Sequence, residues 1–144
     1  MPHALLPPEL AHLGLQPHPE GGWFRETHRS PQCTVIDFVL LPGELSALHR
    51  VLGREEVWVH HRGGPLVLHI VDGPQHRTLR LDAEQATAVV PADAWQGAEP
   101  VSDRWVWVNC IVSPPFAFEA FELADAAHGL PPAVHHLLAG HVPS

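Results

Sequence analysis

Three polar side chains are spaced so that they could move a proton or hold a cation. His49 is followed by Glu56, with Gly43 before the pair and Gly63 after it, and Gln96 closes the later stretch Pro91-Ala92-Asp93-Ala94-Trp95-Gln96. An imidazole titrates close to neutrality and suits general acid or base work. Neutral imidazole and carboxylate are also good ligands for a first-row divalent ion, whereas an amide oxygen is a weak one. Two readings therefore stand for His49, Glu56 and Gln96: a weak metal site completed by water, or a hydrogen-bonded pair inside a dry pocket. Arg25 and Arg50 each offer a planar fork for a carboxylate or phosphate. The competing reading for Arg25 is an ion pair with Glu20, Glu26 or Glu55. Asp37 interrupts a strongly apolar run. A buried, unpaired carboxylate is costly, so Asp37 must face a cavity or pair with a cation.

Strands must carry these groups. Successive side chains on a strand point to opposite faces, so Glu56, Trp58 and His60 share one face and Val57, Val59 and His61 the other. His49 and Val51 lie together if their stretch is extended, and Arg25 and Glu26 face opposite ways. The run Thr34 to Leu41 is β-branched and aromatic, is too short for a helix, and ends at Pro42-Gly43. Glu56 to His61, Leu66 to Val71, Thr78 to Leu81, Ala86 to Val90, Trp105 to Val112 and Phe116 to Leu123 repeat that rhythm. Turn residues such as Gly63-Gly64-Pro65 and Asp72-Gly73-Pro74 separate them. The pattern predicts an all-β sandwich or barrel. Pro8 to Leu13, closed by Gly14, reads as a short N-terminal helix, and Ala124 to Gly129 and Pro132 to Ala139 as short C-terminal ones. Adjacent histidines on a strand diverge, so neither His60-His61 nor His135-His136 chelates as a unit. His135-His136 is expected on a helix surface, and Cys110 as a buried small hydrophobe.

Composition narrows the partners. The chain has 144 residues, 45% of them apolar, which suits a single domain spanning 1–144 with a sizeable core. A formal charge of -8 and the lack of a basic stripe argue against nucleic acid. The apolar runs are strand-sized, which argues against a membrane-spanning helix. Two cysteines make no disulfide framework, and no signal-like segment opens the chain, so a cytoplasmic location is expected.

The spacing from Gly43 through His49, Val51 and Glu56 to Gly63, followed by Pro91 to Gln96, resembles the two motifs of the cupin superfamily. Val51 replaces the second histidine of the first motif, and Gln96 replaces the last histidine of the second. A closer resemblance is to the single-domain cupins of the cupin family 5 group. It rests on His18-Pro19-Glu20-Gly21-Gly22-Trp23-Phe24-Arg25-Glu26-Thr27, Ser46-Ala47-Leu48-His49-Arg50-Val51, Glu55-Glu56-Val57-Trp58, Val89-Val90-Pro91-Ala92 with Trp95-Gln96, and Asn109 to Pro114 followed by Phe116 to Leu123. Val51 and Gln96 are normal for that group.

The resemblance implies a double-stranded β-helix, the cupin jelly roll, with short terminal helices. It also implies a homodimer joined through the N-terminal strands and a pocket like those of sugar-nucleotide epimerases. His49, Val51 and Glu56 then point inward, with Trp58 and His60 beside them and Gln96 entering from the opposite strand. Three functions follow. The first is an isomerase or epimerase acting on a sugar-like or polar acid small molecule. His49 would be its base, oriented by Glu56 or Asp37, with Arg25, Arg50, Glu26, Trp58, His60 and Gln96 as candidate substrate contacts. The second is a metal-dependent oxygenase or lyase using a divalent ion on His49, Glu56 and Gln96. The third is a non-catalytic ligand-binding cupin.

Overall fold

A computed structural model describes residues 6–139. In chain order they form α1 (Pro8–Ala11), β1 (Gln16–Pro17), β2 (Trp23–Arg29), β3 (Thr34–Leu40), β4 (Ser46–Val51) and β5 (Glu55–Gly63). There follow β6 (Leu66–Asp72), β7 (Gln75–Leu81), β8 (Thr87–Val90), β9 (Trp95–Pro100), β10 (Val106–Ser113) and β11 (Phe121–Leu123). One antiparallel sheet has the order β1-β2-β3-β10-β5-β8, and the other β11-β4-β9-β6-β7. The fold is all-β, as the strand rhythm predicts, and is the double-stranded β-helix that the resemblance implies, with short helical turns at both ends.

The alternation of side chains decides what each sheet buries. Phe38 and Leu40 of β3, Trp58 of β5, Leu66, Leu68 and Ile70 of β6, and Val106, Val108 and Cys110 of β10 fill the space between the sheets. On the reverse of β3, Val39 joins Leu10, Leu13, Leu41 and Trp107 in a second cluster under α1. The six-stranded sheet is thus covered on both faces near β3, which explains the nearly unbroken apolar run of that strand. The second sheet is covered on its outer face too, where Leu48, Val71 and Trp95 pack on Ala124, Leu130, Val134 and Leu137.

Three expected elements differ. The segment Phe116 to Leu123 is not one strand: a 3₁₀ turn, Phe118–Ala120, precedes the three-residue β11. Pro114 and Pro115 lack the N–H groups a ladder needs, so pairing restarts only at Phe121. The C-terminal helices are 3₁₀ turns, Ala126–His128 and Pro132–Leu137. Segments this short form too few hydrogen bonds to offset helix nucleation and are held by the packing of Val134 and Leu137.

Candidate functional site

The turn Pro19-Glu20-Gly21-Gly22 brings a carboxylate to the mouth of the space between the sheets. Gly21 and Gly22 have φ of 103° and 75°, where only glycine is unstrained. A Cβ at Gly21 would overlap the Leu45 carbonyl oxygen, and one at Gly22 would lie 2.8 Å from the Val39 carbonyl oxygen. This close passage lets the Ala47 N–H donate to the Glu20 carbonyl at 2.6 Å, locking the turn to β4. The Glu20 N–H donates to His18 Nδ1 at 3.1 Å, so a neutral His18 carries its proton on Nε2.

Glu20 Oε2 lies 2.8 Å from His49 Nε2. The other ring nitrogen, Nδ1, is 2.7 Å from the Ala47 carbonyl oxygen. Both partners of His49 are acceptors, so the ring meets them as an imidazolium with a proton on each nitrogen. Burial opposes that charge, but the Glu20 carboxylate, then Glu56 and the Ala47 carbonyl, outweigh it and raise His49 to about 9. Burial also works against an ionised Glu20, and His49 and His18 more than offset it, holding Glu20 below the usual carboxylate range.

Glu56 is the opposite case. Burial raises its carboxyl, and the Glu20 charge adds to the rise; His49, Gln96 and Cys110 pull it back only to about 7. Gln96 Nε2 donates to Glu56 Oε1 at 3.0 Å, and Trp58 Nε1 donates to Gln96 Oε1 at 2.7 Å. An indole N–H can only donate, so it fixes the amide with its oxygen toward Trp58 and its nitrogen toward Glu56. His18, weakened as a base chiefly by burial, stands edge-on to Phe24 at 4.7 Å. The Cys110 thiol beside Glu56 is pushed up by burial and by the nearby carboxylates, which makes it inert as a nucleophile.

His18, Glu20, His49 and Glu56 line a cavity of about 90 Å³. Phe24, Phe116, Phe118 and Phe121 supply apolar walls, and Glu26 and Arg29 are also among the lining residues. Arg29 donates from Nε and Nη2 to the Glu26 carboxylate at 3.1 and 2.8 Å, and from Nη1 to the Phe116 carbonyl.

Of the residues expected at the site, His49, Glu56 and Glu26 line this cavity. Asp37 does not. It lies on the far face of β3, where it accepts from Arg25 Nε at 2.7 Å, Trp107 Nε1 at 2.9 Å and Asn109 Nδ2 at 2.6 Å. Arg25 is its cation and also donates to the Leu13 carbonyl, so Arg25 is turned away from the cavity and Glu26 toward it. The partner of Arg25 is therefore Asp37, not Glu20, Glu26 or Glu55. Arg50 is likewise outside: it donates to Glu122 Oε2 from Nε and Nη2 at 3.0 and 2.9 Å and lies 4.3 Å over the Trp95 ring. Trp58 and Gln96 stand behind Glu56, and His60 is tied to the Gly64 carbonyl at 2.8 Å.

His18, Glu20 and Arg29 were not expected at the site. The signal for the first two was the Pro-Glu-Gly-Gly turn itself. A glycine pair that brings backbone close to another element also delivers the residue before it.

The donors do not fit a divalent ion on His49, Glu56 and Gln96. The Gln96 oxygen, the one ligand atom of that amide, is turned to the Trp58 N–H, and both His49 nitrogens face acceptors. Among the described residues, the group of three whose ligand atoms all lie within 4.8 Å of one another is elsewhere, at His69, Glu99 and His136.

A two-sheet β-helix with polar side chains gathered in a cavity between its sheets defines a cupin. The chain belongs to the family described as Cupin superfamily (DUF985), whose sequence model matches residues 9–124. It is similar to protein SO0799 from Shewanella oneidensis, with 28% identity, 92% of this chain and 96% of that one covered, and a TM-score of 0.82. It is also similar to a hypothetical protein from Leishmania major, with 26% identity, coverage of 90% and 96%, and a TM-score of 0.80. A Lactobacillus farciminis oxalate decarboxylase, at 17% identity and a TM-score of 0.62 over 75% of this chain and 33% of that one, shares the fold alone. No curated protein matches the chain. No helix among the described residues is long and apolar enough to cross a membrane.

Proposed function

We propose that this cupin is a small-molecule isomerase or epimerase that moves a proton on a sugar-like or polar acid substrate. The observation that carries the reading is one cavity holding two ionisable groups whose surroundings separate their charge states. His49, paired with Glu20, stays cationic at neutral pH, and Glu56 ionises near pH 7. A group that titrates near the working pH is best placed to accept and return a proton. Glu56 is thus the base in this reading, and the imidazolium of His49 stabilises negative charge developing on the substrate. Arg29 meets an anionic substituent at the cavity rim, and the phenylalanine walls take the apolar face of the substrate.

The reading includes a cytoplasmic homodimer joined through the N-terminal strands. The free thiols Cys33 and Cys110 suit a reducing compartment. Light scattering on the purified chain tests the dimer, and a monomer mass rejects it.

The test of the activity is incubation in heavy water with a panel of sugars and hydroxy acids, followed by proton NMR. Deuterium at a carbon of one substrate, lost in Glu56→Gln, supports the reading. Saturable binding with no exchange for any bound compound replaces it with ligand binding alone.

A further inference from the structure

The outer face of the five-stranded sheet carries a polar cluster that the cavity does not use. His69 of β6 pairs with Gly97 of β9, so Glu99, two residues along, projects from the same face. His69 also lies opposite Thr78 of β7, which places His76 diagonally beside it on that face. His136 arrives from the 3₁₀ turn Pro132–Leu137, whose Val134 and Leu137 are fully buried against the sheet.

Three ligand atoms converge here. His136 Nε2 is 2.9 Å from Glu99 Oε2, and His69 Nε2 is 3.6 Å from Glu99 Oε1. His69 is only 7% exposed, yet its Nε2 has no hydrogen-bond partner. A buried ring nitrogen without a partner is costly in a native protein and requires an explanation. Its other nitrogen, Nδ1, is 3.4 Å from His76 Nε2. A proton on Nδ1 shared with His76 leaves the Nε2 lone pair facing Glu99 and His136.

We propose that His69, Glu99 and His136 form a site for a divalent transition metal of the zinc class, bridging β6, β9 and the C-terminal 3₁₀ turn. Two imidazoles and a carboxylate are an ordinary zinc donor set, with a fourth position for water. Tetrahedral bonds of about 2.0–2.1 Å put neighbouring ligand atoms roughly 3.3 Å apart, and one ligand atom from each of the three residues already lies within 4.8 Å of the other two. Glu99 and His136 are partly exposed, so an ion can enter from solvent. His76 acts from behind, orienting His69 as outer partners of metal-bound histidines do. The bound ion ties the C-terminal turn, through Leu137, to the sheet that carries His49.

The experiment uses the full chain without a polyhistidine tag, stripped with chelator and titrated calorimetrically with Zn²⁺. Co²⁺ serves as a visible reporter of coordination. One Zn²⁺ per chain, a raised melting temperature and a tetrahedral Co²⁺ spectrum are expected. His136→Asn and Glu99→Gln change partly exposed side chains that leave the core packing intact, and each should weaken binding by about 100-fold or more. His49→Asn and Glu56→Gln should leave it unchanged. No stoichiometric Zn²⁺ binding, or binding lost in the cavity variants and kept in His136→Asn and Glu99→Gln, overturns the proposal.

Discussion

The carboxylate of Glu20 sits 2.8 Å from His49 Nε2, with both side chains almost wholly removed from solvent. The pair joins the Pro-Glu-Gly-Gly turn to strand β4 and sets the charge of the cavity. Removing one partner of a buried ion pair strands the other, a loss of about 3–5 kcal/mol. Glu20→Gln should therefore destabilise the fold by that order in urea unfolding. With the carboxylate gone, burial pulls His49 down from about 9, and imidazole NMR should record its titration at lower pH.

The pH dependence of stability carries the signature of both raised groups. Glu56 moves from 4.5 to about 7 on folding, so the folded chain holds a proton that the unfolded chain has released. The stability this supplies is complete below pH 4.5 and is lost as pH rises to about 7. His49 moves from 6.5 to about 9, so its contribution is complete below pH 6.5 and lost as pH rises through 9. Glu20, held low, contributes stability above its unfolded value that disappears in acid. Glu56→Gln removes the first component. Relative to the parent, the variant should gain stability between about pH 5 and pH 8 in melting scans.

Asp37 should matter for stability and not for ligand binding. Asp37→Ala leaves the N–H groups of Trp107 and Asn109, and the Arg25 guanidinium, without their acceptor. Each buried unsatisfied donor costs about 1–3 kcal/mol, so a loss of about 2 kcal/mol or more is expected in urea unfolding. Affinity for any cavity ligand, measured by calorimetry, should stay within about twofold of the parent, because Asp37 faces the opposite side of β3.

Gly21 tests the turn that delivers Glu20. Alanine there must adopt a φ of 103° and push its Cβ into the Leu45 carbonyl. Gly21→Ala should cost more than about 1 kcal/mol in urea unfolding. It should also shift the His49 resonance, since Glu20 moves with the turn.

The sequence made the strands legible because their signals are local. β-branched runs, turn residues and period-two alternation are read within a few positions, and Glu56, Trp58 and His60 point inward together as the alternation requires. The cavity was harder because its pairings are between distant segments. Nothing near Glu20 states that it meets His49, and nothing near Asp37 states that Arg25 and Trp107 reach it from neighbouring strands. Gln96 lies beside Glu56 as the spacing predicts, but its amide is held between Glu56 and Trp58. Its orientation depends on the donor-only Trp58 N–H across the sheet, a contact no spacing records. His136 is exposed, as expected of the His135-His136 pair. Only the packing of the C-terminal turn places it beside Glu99.

The most direct test of the central claim is an NMR titration of the Glu56 carboxyl and the His49 ring in the intact chain. Glu56 should ionise near pH 7 while His49 keeps its proton until near pH 9. A Glu56 that ionises near 4.5, or a His49 that is neutral at pH 7, contradicts the account.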